Sequence, residues 1–174
     1  MFLPTLLILI FLILFGTMIR AGFSGAPWVP TFNKNLLASF KLADIKARET
    51  VYDLGCGDGR WLTAAARLTG AKKIIGVEIS LLPYVLAQVR RWLSPNRARI
   101  KVCWRNFYQL DLSGADVIYI FSLPKVMAKL EPKFKKELHP GARVVSLAFK
   151  LPNYQPAEVF KATANGMPLY LYRF

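Results

Sequence analysis

An α/β fold is what the sequence predicts: a Rossmann-like sheet of seven strands, preceded by one N-terminal transmembrane helix. Three observations predict it. From Thr50 to Phe149, short apolar runs of strand length alternate with segments of helical period. The stretch Thr50-Val51-Tyr52-Asp53-Leu54-Gly55-Cys56-Gly57-Asp58-Gly59-Arg60 reads as a strand passing through a glycine turn into a helix. Finally, Phe2 to Ile19 carries no charged side chain, in a chain of 174 residues whose formal charge is +14.

The N-terminal run is 18 residues long. As a helix it spans roughly 27 Å, close to a hydrocarbon core of about 30 Å. No Lys or Arg precedes it, and it is longer than the apolar part of a signal peptide. The flanking cations Arg20, Lys34, Lys41, Lys46 and Arg48 all lie downstream, which places the N-terminus outside and the remainder in the cytoplasm. Residues 1–20 are therefore expected to be a membrane anchor, 21–48 a linker and leading helix, and 49–174 the main domain. Pro27 and Pro30 stiffen the linker, and Leu36, Leu37, Phe40 and Ala43 recur at helical spacing after it.

The first strand, Thr50 to Leu54, is followed by a helix from about Arg60 to Leu68 and a second strand, Lys73 to Glu78. The next helix, Leu81 to Leu93, is expected to bury Leu82, Val85, Leu86, Val89 and Trp92, and it stops before Pro95. Arg99 to Trp104 reads as the third strand. Asp116 to Phe121 is a continuous apolar run of the kind buried on both faces of a parallel sheet. A helix from Lys125 to Leu138 pairs an apolar stripe (Val126, Leu130, Phe134, Leu138) with a basic one (Lys125, Lys129, Lys133, Lys136). Arg143 to Phe149 gives strand five, and Ala157 to Lys161 with Leu169 to Phe174 gives a terminal antiparallel hairpin through Asn165-Gly166. Cys56 and Cys103 have neither C-x-x-C spacing nor histidine company, so no metal site is expected.

The glycine turn limits the ligand. A dinucleotide fingerprint, G-x-G-x-x-G, is built to accept a pyrophosphate. Here the spacing is G-x-G-x-G, and Asp53 stands two residues before the first glycine. A carboxylate there repels phosphate but suits a ligand carrying a cation and hydroxyls. Gly55, Gly57 and Gly59 let the backbone approach that ligand. Glu78 ends the second strand, where a carboxylate can accept from both hydroxyls of a ribose.

This pattern resembles motif I and the following acidic position of class I S-adenosylmethionine (SAM) methyltransferases. The resemblance implies the seven-stranded methyltransferase sheet over residues 49–174 and SAM as methyl donor. It also implies Asp53 near the sulfonium and methionine portion, Gly55, Gly57 and Gly59 beneath it, Glu78 on the ribose and Asn106 at the adenine. In-line methyl transfer rests on alignment and needs no triad or metal. Phe121-Ser122-Leu123-Pro124 leaves strand four where the acceptor enters, so Phe121, Ser122, Pro124 and Trp28 are acceptor-pocket candidates. The Asn/Asp-Pro-Pro-Tyr motif of DNA- and glutamine-methylating enzymes is missing at this point.

A closer resemblance joins the N-terminal apolar segment, Pro27-Trp28-Val29-Pro30-Thr31, Gly76-Val77-Glu78, Asn106-Phe107-Tyr108-Gln109-Leu110-Asp111-Leu112-Ser113 and Phe121-Ser122-Leu123-Pro124-Lys125-Val126-Met127. Together they look like the membrane-anchored protein-lysine methyltransferases of the ATP synthase c subunit and the adenine nucleotide carrier. The chain departs from that group at Asn106, where Asp is usual, and at Ile79-Ser80, where Asn follows the acid. The resemblance implies a protein partner presenting a lysine near a membrane, with the basic stripe against anionic headgroups. Lipid, small-molecule and RNA methylation are the alternatives. The +14 charge prompts the last of these, but the Lys125 helix lacks the interleaved aromatics of an RNA-stacking surface, so nucleic acid is not the expected partner.

Overall fold

The computed structural model describes Pro4, Thr5, Ile8 and Gly16 and residues 33–174 except Asn165, without the side chains of Asn33 and Lys34. The expected anchor, apart from those four residues, lies outside the described residues, as do the linker and Trp28. No helix among the described residues is long and apolar enough to cross a membrane.

Helix α1 (Asn33–Ala43) leads into β1 (Thr50–Leu54), α2 (Arg60–Leu68), β2 (Lys73–Glu78), α3 (Leu81–Leu93) and β3 (Ile100–Trp104). A 3₁₀ turn (Phe107–Gln109) then precedes β4 (Val117–Ile120), α4 (Pro124–Glu137), β5 (Arg143–Leu147), β6 (Glu158–Lys161) and β7 (Pro168–Arg173). The seven strands form one sheet in the order β3-β2-β1-β4-β5-β7-β6. The first five run parallel, and β7 is antiparallel to both β5 and β6. The strand order reverses between β1 and β4, and such a switch point opens a crevice at the carboxyl ends of the strands.

Period-two alternation divides the core into two layers. Val51, Ile74, Val117, Tyr119, Val145 and Leu171 point to the side covered by α1, α2 and α3. Leu54, Ile75, Ile118, Ile120, Val144 and Tyr172 point to the side covered by α4. All four residues of β4 are buried, as its unbroken apolar run requires. Trp61, at the start of α2, stacks on Tyr119 with ring centroids 4.8 Å apart and donates through Nε1 to Ser39 Oγ at 2.9 Å. It thereby fastens α1 to α2.

Helix α3 departs from the expectation. Its buried residues are Pro83 and Ala87, whereas Val85, Leu86, Val89 and Trp92 are exposed, Trp92 at 72%, and Leu82 is only half-buried. The cause is the turn at Gly59. A Cβ on Gly59 would lie 3.0 Å from Ala87 Cβ, so the two backbones meet closely at the small residues. The docking face is narrow, and the wide aliphatic arc turns outward.

Candidate active site

The cradle is assembled where β1 ends. Asp53 lies opposite Gly76 of β2 and Tyr119 of β4. The chain then turns: Gly55 and Cys56 both donate to the Val77 carbonyl, at 2.8 and 3.0 Å, and Gly59 donates to the Cys56 carbonyl at 2.9 Å. Gly55, with φ of 85°, has nothing within 4 Å of where a Cβ would stand, which leaves its backbone open to a ligand.

Glu78 locks this turn. One carboxylate oxygen accepts from Gly57 N at 3.0 Å. The other accepts from Ile79 N at 2.9 Å and Ser80 N at 2.8 Å. Asp53 differs: it is buried, and no other described residue donates a hydrogen bond to its carboxylate. Burial pushes the Asp53 carboxyl well above the usual carboxylate range, and the neighbouring Glu78 and Asp58 charges push it further. Burial likewise pushes the Cys56 thiol up, with Asp53 and Glu78 adding to the effect.

These residues fit SAM on their own chemistry. A buried carboxylate without a partner is stable as an anion only if a cation is brought to it. Glu78, with three of its about four acceptor sites taken by backbone N–H groups, keeps one for a ribose hydroxyl rather than the expected two, and a bare glycine turn gives close approach. No group of acids, cysteines and histidine suited to a metal occurs among the described residues.

The other sequence-predicted residues lie around this cradle. Arg105 N donates to the Glu78 carbonyl at 3.0 Å, which sets Asn106 at the same edge. Asn106 caps the 3₁₀ turn by accepting from Tyr108 N at 3.0 Å. Phe121 and Ser122 follow β4, whose Ile120 pairs with Leu54. Ser122 is buried, and its Oγ has no hydrogen-bond partner among the described residues. Pro124 is exposed as the first residue of α4. The lysine stripe on α4 is partly engaged, with Lys133 bonded to Glu137 at 2.6 Å and Lys129 lying 5.9 Å over the Tyr108 ring.

Two contributors escaped the sequence reading. Asp58 is nearly buried between Arg60 and Arg90, with a guanidinium nitrogen of each 2.9 Å from Oδ2. Burial opposes its ionisation, but the bonds and charges of the two arginines outweigh that and hold its carboxyl below the usual range. It clamps α3 to the glycine turn, and Arg60 two residues on was the available signal. At Gly76 a Cβ would lie 2.7 Å from Cys56 Sγ and 2.4 Å from Leu62 Cδ1, so both side chains would have to shift to admit it. Only the fold reveals that crowding.

The sheet order and the cradle define a SAM-dependent methyltransferase. Residues 53–158 match the ANTKMT methyltransferase domain, and the chain belongs to that family. It is 38% identical over 150 residues to a protein-lysine N-methyltransferase of Saccharolobus islandicus, covering 84% of this chain and 92% of that one. It is 35% identical to the adenine nucleotide translocase lysine N-methyltransferase of Mus musculus over 62% of this chain, but spans only 46% of that protein. Among solved structures, an RNA methyltransferase from Salinibacter ruber in complex with S-adenosyl-L-homocysteine superposes with a TM-score of 0.79. That match has 30% identity and covers 83% of this chain and 93% of that one.

Proposed function

We propose that this chain methylates the ε-amine of a lysine presented by a membrane or membrane-associated protein, with its α/β domain on the cytoplasmic side. The observation that carries the reading is the 38% identity to a protein-lysine N-methyltransferase across 84% of the chain. The relative that acts on the adenine nucleotide translocase and the uncharged run Phe2–Ile19 support a target at a membrane. SAM supplies the electrophilic methyl group. Asp53 faces the cofactor's cationic end, Gly55 and Gly57 give it backbone room, Glu78 accepts from its ribose and Asn106 lies at its base. Gly59 completes the turn while admitting α3.

The amine must arrive neutral, although lysine in water has a pKa near about 10.4. A desolvating cleft lowers that value. Ser122 Oγ, buried and without a hydrogen-bond partner among the described residues, is proposed to hold the amine's hydrogen, with Phe121 and Pro124 as walls. Trp28, an acceptor-pocket candidate on the sequence alone, lies outside the described residues.

The test compares cells with and without the gene by mass spectrometry of membrane and soluble proteins. A methyl-lysine on a membrane-fraction protein is expected only in cells carrying the gene. Ser122→Ala is expected to lower that mark about tenfold at unchanged protein level, the effect of losing one positioned hydrogen bond. Unchanged protein methylation together with a methylated RNA nucleoside would instead favour the activity named for the Salinibacter neighbour.

A further inference from the structure

Helix α3 leaves a face that the reaction does not use. Its exposed residues Val85, Leu86, Val89, Trp92 and Leu93 form one aliphatic and aromatic strip, with Leu93 75% exposed. Leu86, Val89 and Leu93 form one wall of a groove of about 790 Å³, while Leu36, Leu37 and Leu68 supply apolar surface from α1 and α2. Arg60, Arg67 and Arg90 line the same groove, and Asp58, already held by two of these arginines, is its one acid. The charge around it is one-sided. From Gly59 through Arg105 there are ten Lys or Arg residues and a single acid, Glu78, which is turned into the cradle.

We infer that this face is a seat for an anionic lipid bilayer. A strip of Val, Leu and Trp with arginines beside it is the composition of an interfacial helix, whose apolar side enters the headgroup boundary while cations meet the lipid charge. Nucleic acid would use the arginines but leave the aliphatic side chains in water. An apolar segment would use the aliphatic surface and strand the cations. The entry of the chain agrees: Leu36 and Leu37, on the first turns after Asn33, line the groove, and the uncharged run Phe2–Ile19 lies upstream of them. The lysines of α4 belong to the opposite side of the sheet and point away from the bilayer in this arrangement. With one helix layer of about 10–12 Å between lipid and sheet, the cradle at the strand ends opens along the membrane surface.

The inference does not depend on which acceptor is methylated, and its test reads no activity. The full chain carrying Cys103→Ser and Leu93→Cys, labelled with a fluorophore at position 93, is reconstituted into vesicles containing lipid-borne quenchers. The vesicles are phosphatidylcholine alone or mixed with phosphatidylglycerol. A second protein carries the label at Lys136→Cys on α4. Quenching at position 93 is expected in anionic vesicles and is expected to fall in high salt, with position 136 unquenched throughout. Arg67→Glu is expected to shift the seating equilibrium about 25-fold toward the lifted state, roughly 5-fold per unit charge. No quenching at position 93, quenching at 136 instead, or shielding of 93 by RNA or by the chain itself without vesicles would each overturn the seat.

Discussion

Asp53→Asn is expected to weaken SAM binding roughly 10- to 150-fold while making the SAM-free protein more stable. The two effects share one cause. In the free protein the Asp53 carboxyl is buried beside Glu78 and Asp58 and sits well above its ordinary range. As pH rises from that ordinary range, the unfolded chain loses this proton first. It then binds fewer protons than the folded chain, and stability falls until the raised value is passed. An amide removes that penalty, so the variant's melting temperature exceeds the parent's at neutral pH, by about 2–4 °C for each kcal/mol, and loses this pH dependence. With the cationic cofactor paired to the ionised carboxylate as proposed, the parent's SAM affinity is expected to rise with pH through the same window, and the variant's is not. Calorimetric titration and thermal melts across pH measure both. Unchanged affinity in the variant would put the cation elsewhere.

Glu78→Ala is expected to lose both stability and SAM affinity. The carboxylate accepts from the backbone N–H groups of Gly57, Ile79 and Ser80, so its removal leaves three donors unpaired in a buried turn. A buried donor without a partner costs about 1–3 kcal/mol. The melting temperature should therefore fall by at least about 6 °C, and SAM affinity should fall about as far as in Asp53→Asn. The opposite signs in the melts separate the two acids. In the proposed site Asp53, without a hydrogen-bond donor among the described residues, receives the ligand, whereas Glu78 also holds the backbone turn. Equal destabilisation by both substitutions would contradict that division.

Much of the frame was legible in the residues. The strand, glycine turn and helix at Thr50–Leu68, the unbroken run of β4 and the terminal hairpin all carry strong local periodicity, and each appears where it was expected. That Asp53 and Glu78 lie near each other was legible because Asp53 is next to last in one strand and Glu78 ends the following one, and parallel pairing of β1 with β2 brings those ends together. The outward turn of α3 was not legible. Periodicity reports an apolar arc, not which side docks, and the docking side was chosen by Gly59 against Ala87, a contact between residues 28 apart. The roles of Asp58 and Gly76 were hidden for the same reason, since each is defined by side chains from another element. The anchor read from Phe2–Ile19 lies largely outside the described residues, so its place rests on composition.

Transfer of a labelled methyl group tests the central claim most directly. The purified full chain is incubated with methyl-deuterated SAM and cell membranes, after which protein hydrolysates, nucleosides and lipids are weighed separately by mass spectrometry. With SAM held below saturation, the label is expected in methyl-lysine and is expected to fall at least about 10-fold with Asp53→Asn. Label recovered in nucleosides or lipids but not in lysine, or lysine label undiminished by Asp53→Asn, would contradict protein-lysine methylation at this cradle.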